Sequence, residues 1–237
     1  MSVARETARP SPLGQLWALL FPTRCLGCGR RGAAVCGRCE AMIPWLNRET
    51  CHRCAAPSPL GRLCQRCKAA PTALDGLRAA CTFDGIVRQA IHNLKYRQAR
   101  SLAGLASSLL ADSLAKRPLQ ADLLVPVPLA AGRRRERGYN QAELIAACLS
   151  RSIDVPTAAA ALERVRETPP QVGLSAPERR RNVRGAFACS AEALVAGRRV
   201  IVLDDVATTG ATLAACADAL KTAGAARVYG LVVARGS

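Results

Sequence analysis

Val200-Ile-Val-Leu-Asp-Asp-Val-Ala-Thr-Thr-Gly-Ala-Thr212 is the stretch on which the reading of this chain turns. Four consecutive apolar residues, Val200–Leu203, rich in β-branching, predict a strand buried on both faces, as in a parallel sheet. The strand ends in two adjacent carboxylates, Asp204 and Asp205, and the small residues after them run directly into a helix predicted over Ala211–Ala223. In an open α/β sheet, ligands gather at the carboxyl ends of strands. Gly210 and Ala211 have no bulk there, so the backbone N–H groups of Ala207–Ala211 can approach an anion closely, backed by the helix N-terminus. The hydroxyls of Thr208, Thr209 and Thr212 add donors. Helix capping would account for any one of these residues but does not require all of them together.

Outward from this segment, apolar runs of strand and helix period alternate. Strands are predicted at Arg78–Phe83, Leu123–Leu129 and Val228–Val233, and helices at Ile86–Tyr96, Leu102–Ala115 and Gln141–Ser152. That order predicts an α/β fold, a mostly parallel sheet flanked by helices. A Walker B strand also ends in acids, but no G-x-x-x-x-G-K-[ST] accompanies this one. Two further segments carry cations. Val125-Pro-Val-Pro-Leu129 leads into an arginine-rich turn with Arg133, Arg134, Arg135 and Arg137, then Gly138-Tyr-Asn-Gln141. Thr168-Pro-Pro-Gln171 leads to Arg179-Arg-Arg-Asn182, a polar stretch of the kind that forms functional lids. Either run alone is also what a solvated basic loop looks like.

Toward the N-terminus the chain changes character. Cys25-x₂-Cys28-x₇-Cys36-x₂-Cys39 and Cys51-x₂-Cys54-x₉-Cys64-x₂-Cys67 are two sets of four thiols on paired knuckles, with Gly29 and Gly37 helping the turns. Two cysteines separated by two residues can both face one ion, and four thiolates satisfy tetrahedral zinc with no position left for water. Two structural zinc ions are therefore expected, with sequential and cross-braced pairing both compatible with the spacing. A region so loop-rich has too few apolar residues for a core of its own, so metal should hold it. The division predicted is a frayed leader over residues 1–12, a zinc-bearing region over 13–70 beginning with a short helix Leu13–Phe21, and an α/β domain over 71–237. Cys81, Cys148, Cys189 and Cys216 stand alone among apolar neighbours and read as buried thiols.

The net charge is +17 and only four of the 34 basic residues are lysine, Lys68, Lys95, Lys116 and Lys221. Arginine forks onto phosphate in a way lysine does not, which favours an anionic partner. A GC-rich genome would produce a similar excess, so charge alone decides nothing. No run approaches the roughly 18–20 apolar residues of a membrane span, and the start lacks a convincing secretory signal. A cytoplasmic location is expected, where thiols stay reduced.

The segments PVP…RGYNQ, TPPQ…RRRN and LDDVATTGAT, in this order and with the cysteine pairs and Leu94-Lys-Tyr96, resemble the ComF (ComFC) family over nearly the whole chain. The family has an N-terminal double zinc ribbon followed by a type I phosphoribosyltransferase domain. The resemblance implies binding of 5-phosphoribosyl-1-pyrophosphate (PRPP) with Mg²⁺, Asp204 and Asp205 on the ribose hydroxyls. Ala207, Thr208, Thr209, Gly210, Ala211 and Thr212 would then lie around the 5′-phosphate. Arg133, Arg137, Gln171, Arg179 and Arg180 are the candidates for the pyrophosphate and its loop. It implies Mg²⁺-dependent transfer of phosphoribose to an unknown acceptor, with a link to DNA uptake in natural transformation. The alternative is a non-catalytic PRPP sensor that binds single-stranded DNA. Tyr139 departs from the family's usual phenylalanine.

Overall fold

The computed structural model describes residues 23–46, 49–169 and 173–236; the leader, the predicted helix Leu13–Phe21 and Gln171 lie outside them. The chain packs as two compact units, one ending at Ile43 and the other beginning at Pro44.

In the first unit the knuckle at Cys25 is closed by Gly29 N–H to the Cys25 carbonyl (2.8 Å) and Cys25 N–H to the Arg30 carbonyl (2.8 Å). Gly29 takes a left-handed φ of 73°, which glycine adopts without a Cβ penalty. A one-turn helix, Gly37–Glu40, then presents Cys36 and Cys39 from its N-terminus. Gly27-Cys-Gly-Arg-Arg-Gly32 has the spacing of a dinucleotide fingerprint, but it is this knuckle's turn, and among the described residues no helix opens on it.

The second unit repeats the knuckle and builds the sheet. Ala55 N–H reaches the Cys51 carbonyl (2.8 Å) and Cys51 N–H the Ala56 carbonyl (2.7 Å), and the helix Gln65–Ala69 presents Cys64 and Cys67. This helix takes in Lys68 and Ala69, the first half of the stretch Lys68–Pro71, whose composition suggests a linker. Then follow β1 (Gly76–Thr82), α1 (Gly85–Tyr96), α2 (Leu102–Lys116), β2 (Leu123–Pro126), α3 (Ala131–Arg137), α4 (Gln141–Ile153), β3 (Leu162–Arg164), α5 (Ala176–Val183), β4 (Phe187–Cys189), β5 (Arg199–Ala207), α6 (Ala211–Thr222) and β6 (Arg227–Arg235).

Strands β1, β6, β5 and β2 lie side by side in that order, all parallel; β3 and β4 form a separate antiparallel pair. Val200, Ile201, Val202 and Leu203 are fully buried, as a strand covered on both faces must be. Successive side chains alternate between faces. Val200 and Val202 join α6 through Leu213, Ala217 and Leu220, together with Leu123 and Val125 of β2. The other face is covered by α2 and α4, which pack on each other and on the strands. The strand predicted through Leu129 stops at Pro126, because proline cannot donate to the ladder; Val127 N–H still reaches the Leu203 carbonyl (2.9 Å). The arginine-rich turn after it is the two-turn helix α3, ended by Gly138 at a left-handed φ of 76°. Of the isolated cysteines, Cys81 and Cys216 are buried, while Cys148 and Cys189 are only half-buried. Among the described residues no helix is long and apolar enough to cross a membrane.

Candidate functional site

The carboxyl ends of β2 and β5 open into a cavity of about 590 Å³, within the range of small-molecule sites. One wall is the segment Asp204–Leu213. Since neighbouring strand residues point to opposite faces, Asp204 and Asp205 diverge around the end of β5. Asp205 turns toward α1 and meets Lys95 Nζ at 2.7 Å. Its Oδ1 makes that ion pair, while Oδ2 is buried with no hydrogen-bond partner. Asp204 Oδ1 accepts from the Asp205 N–H (2.8 Å). Gly210, at a left-handed φ of 77°, turns the loop into α6, and Thr209 Oγ1 accepts from Ala211 N–H (3.3 Å). The loop therefore wraps a helix N-terminus, where the first amides and the dipole favour an anion.

The facing wall is cationic. On α3, Arg133 and Arg137 are four residues apart and share the face that lines the cavity. Arg137 donates to Gln141 Oε1 and lies over the Tyr96 ring at 5.4 Å. Arg134 turns away to a two-pronged pair with Glu143 (2.7 and 3.1 Å). Asn140 caps α4 by accepting from Ala142 N–H (3.0 Å) and ties it to β2 by donating to the Val127 carbonyl (2.9 Å). Arg179 crosses from α5 to donate to Thr208 Oγ1 (2.6 Å). Of the other candidates, Arg180 lines a separate cavity of about 60 Å³ behind Thr209 and Gly210.

Lys95 and Arg164 line the cavity without having been assigned a role from sequence. Lys95 belongs to Leu94-Lys-Tyr96, but nothing local shows that the last turn of α1 reaches β5. Arg164, on β3, stacks on Phe187 (5.3 Å) and donates to Thr168, and its surroundings in sequence carry no signal. Tyr139 also has a use for its extra oxygen: the buried hydroxyl donates to the Leu94 carbonyl, next to Lys95. Five cationic side chains thus line the cavity against the carboxylates of Glu136, Asp204 and Asp205. Such a surface suits a polyanion that also carries hydroxyls for the acidic end.

Burial above all, reinforced by the charge of Asp205, pushes the Asp204 carboxyl up to about 7. Burial alone would favour a neutral amine on Lys95, but the charges of Asp205 and Asp204 hold it above its ordinary value. Between the ordinary 3.8 and about 7, the folded protein keeps a proton on Asp204 that the unfolded chain has released. Stability therefore falls as pH rises through that window, and the loss is complete above it. Asp204→Asn should remove this dependence and raise the melting temperature at pH 8 more than at pH 5, the difference in stability being on the order of a few kcal/mol at most. Melting curves at the two pH values check this; equal shifts at both would contradict a protonated Asp204.

Each cysteine set gathers its four sulfurs within 4.8 Å, Cys25, Cys28, Cys36 and Cys39 in one and Cys51, Cys54, Cys64 and Cys67 in the other. Pairing is thus sequential, not cross-braced. Cys28 and Cys36 sulfurs stand 3.7 Å apart, as do those of Cys54 and Cys64. Tetrahedral zinc at about 2.3 Å from each sulfur needs separations of about 3.8 Å. In both sets a backbone N–H points at a sulfur, Cys36 to Cys25 (3.4 Å) and Cys64 to Cys51 (3.5 Å), a partner that favours thiolate. Both sets fit zinc, each with four protein ligands.

Residues 16–68 match the double zinc ribbon domain and residues 140–236 the phosphoribosyl transferase domain. The chain is 34% identical over 222 residues to DNA utilization protein YhgH of Escherichia coli, covering 91% of this chain and 94% of that protein. It is 41% identical over 138 residues to Competence protein F of Haemophilus influenzae, 56% of this chain and 59% of that one. To Competence protein ComFC of Bacillus subtilis it is 28% identical over 193 residues, 76% and 74% of the two chains. Among solved structures, an adenine phosphoribosyltransferase from Thermoanaerobacter pseudethanolicus is similar at 16% identity and a TM-score of 0.38, covering 60% of this chain and 83% of that one.

Proposed function

Because the chain belongs to the ComF family, which joins a double zinc ribbon to a phosphoribosyltransferase domain, we propose that the cavity at the end of β5 binds PRPP and serves transfer of its phosphoribosyl group to an acceptor. The observation that carries this reading is the unpartnered, buried Asp205 Oδ2, beside Asp204 and in front of a helix N-terminus. A buried acceptor left unsatisfied is costly, and a ribose hydroxyl supplies the missing donor. In this reading Asp204 and Asp205 take the ribose diol. The loop Ala207–Thr212 holds the 5′-phosphate, with Arg179 moving from Thr208 onto it. Arg133 and Arg137 of α3 face the pyrophosphate.

Lys95, paired with Oδ1 at 2.7 Å, fixes the Asp205 rotamer so that the other carboxylate oxygen is aimed at the sugar. Mg²⁺, which prefers oxygen ligands and keeps several waters, would find them in the pyrophosphate and the carboxylates of Asp204, Asp205 and Glu136, and would offset the charge of the leaving group. The anomeric C–O bond to pyrophosphate breaks as the acceptor's bond forms. The pre-arranged cations of α3, with Arg164 and Arg179, stabilise the charge that develops on the leaving oxygen.

Calorimetry of the full chain with Mg²⁺ and PRPP tests the binding, and phosphate-coupled detection of pyrophosphate release tests turnover. Heat of binding with micromolar to sub-millimolar affinity is expected; no heat and no thermal stabilisation at millimolar PRPP would sink the reading. Binding without pyrophosphate release from any acceptor tried would favour a PRPP sensor.

A second activity is supported by the exposed arginines of α3 and α5, Arg133, Arg134, Arg135, Arg180 and Arg181, and by the relative named for DNA utilization. Single-stranded DNA is the proposed partner. With few aromatic side chains to stack on bases, binding should be carried by phosphates and weaken steeply with salt. Affinity indifferent to salt would count against it.

A further inference from the structure

Arg235, the last residue of β6, is a buried guanidinium, only 7% exposed. Among the described residues it makes no ion pair with a carboxylate. Its partners are carbonyls. Nε donates to the Cys54 carbonyl (3.0 Å), and NH1 donates to the Ala207 carbonyl (3.1 Å) and to that of Gly236. A charge buried without a counter-ion is strongly destabilising. Burial and the nearby charge of Arg66 both weigh against the guanidinium's charge, while the sulfurs of Cys54, whose carbonyl takes its Nε, and of Cys64 favour it. Four thiolates around a bound Zn²⁺ would carry a formal charge of about −2, which would supply a counter-charge.

The two carbonyls are not interchangeable surface groups. A peptide is planar and trans, so fixing its C=O aims the following N–H the opposite way. At Cys54 this sets the Ala55 N–H, which closes the knuckle on the Cys51 carbonyl (2.8 Å). At Ala207, whose oxygen also accepts from Gly236 N–H (2.9 Å), it sets the Thr208 N–H, the first amide of the loop at the cavity. One side chain therefore orients the peptide that shapes the second cysteine site and the peptide that opens the ligand loop.

We infer that Arg235 is a positioning residue that couples zinc at Cys51, Cys54, Cys64 and Cys67 to the anion-binding loop, so that zinc tightens the ligand and the ligand retains zinc. The inference rests on the cavity being the PRPP site. Because coupling free energies are reciprocal, it is readable from either end.

The test uses the full-length, zinc-loaded protein, a coloured chelator to time zinc release, and calorimetry with Mg²⁺ and PRPP. In wild type, saturating Mg²⁺ and PRPP should slow release of one of the two zinc ions by several-fold. Arg235→Met should release that ion faster, abolish the protection, and bind PRPP roughly tenfold or more weakly. Arg235→Lys restores the charge but not the two-armed fork; it should recover zinc retention while leaving PRPP binding weak. That split is one a merely structural role would not produce. Equal release with and without PRPP in a wild-type protein that binds PRPP would overturn the coupling, and needs no variant to fold. Wild type that fails to bind PRPP would overturn the ligand assignment instead. Faster zinc release from Arg235→Met would then still support the counter-charge role, and unchanged release would remove it.

Discussion

The double variant Asp204→Asn, Asp205→Asn should remain folded with both zinc ions and bind PRPP on the order of a hundredfold or more weakly than wild type, since each hydrogen bond to a charged group is worth about 1.5–3 kcal/mol. The fold should survive because the two changes act in opposite directions on stability. Asp204→Asn relieves a carboxyl that burial already holds near neutrality, up to about 7. Asp205→Asn deprives Lys95 of its partner at 2.7 Å, leaving a half-buried ammonium. Adding Lys95→Met to the double variant should recover thermal stability without recovering affinity. Calorimetry and melting curves read both quantities; a double variant that binds PRPP like wild type would remove the two acids from the site.

The other large effect separates the two cysteine sets. Cys25→Ser should lose one zinc and unfold the unit that ends at Ile43. Cys51→Ser should lose one zinc and bring down the second unit. The second knuckle is part of that unit's core: Ala55 is buried in it at a left-handed φ of 56°, and the His52 carbonyl accepts from Leu77 N–H of β1 (2.9 Å). A structural zinc contributes about 10–16 kcal/mol to an isolated finger, comparable to the whole stability of a domain at about 5–15 kcal/mol. Elemental analysis should find two zinc ions in wild type and one in either variant. Cooperative melting of the α/β domain should survive in Cys25→Ser and be lost in Cys51→Ser. A Cys51→Ser protein with an unchanged melting transition would show that the knuckle only decorates the sheet.

What could be read in advance followed the range of the interactions involved. The strand Val200–Leu203, its acidic end and the loop into α6 are contiguous, so their chemistry is written in one line of sequence. The cysteine sets are legible because zinc demands a ligand type and spacing that few other needs reproduce. Lys95, Arg164 and Arg235 are of another kind. Each is one arginine or lysine in a chain full of them, and each gains its role from a partner more than twenty residues away. Lys95 acquires Asp205 only because Asp205 falls on the face of β5 that α1 approaches, and Arg235 acquires Ala207 only through the pairing of β6 with β5. The pairing of the cysteines was open for a similar reason, since spacing fixes the knuckles but not which two share an ion.

The order of strands across the sheet has a consequence for how the chain is made. β6, the last of the four to leave the ribosome, lies between β1, the first, and β5. The sheet cannot grow strand by strand; it closes only when β6 slots into its middle, a topology of high contact order that slows folding. Through that interval β1 would stand as an open edge, the kind that invites pairing between chains. Its outer side is met by segments made just before it. Leu46 N–H bonds to the Ala80 carbonyl (3.0 Å), Thr82 N–H to the Pro44 carbonyl (2.8 Å), and Leu77 N–H to the carbonyl of His52 inside the zinc knuckle. A metal ion captured early in synthesis would thus hold a strand ready, and half shielded from neighbouring nascent chains, for a partner that has yet to be translated.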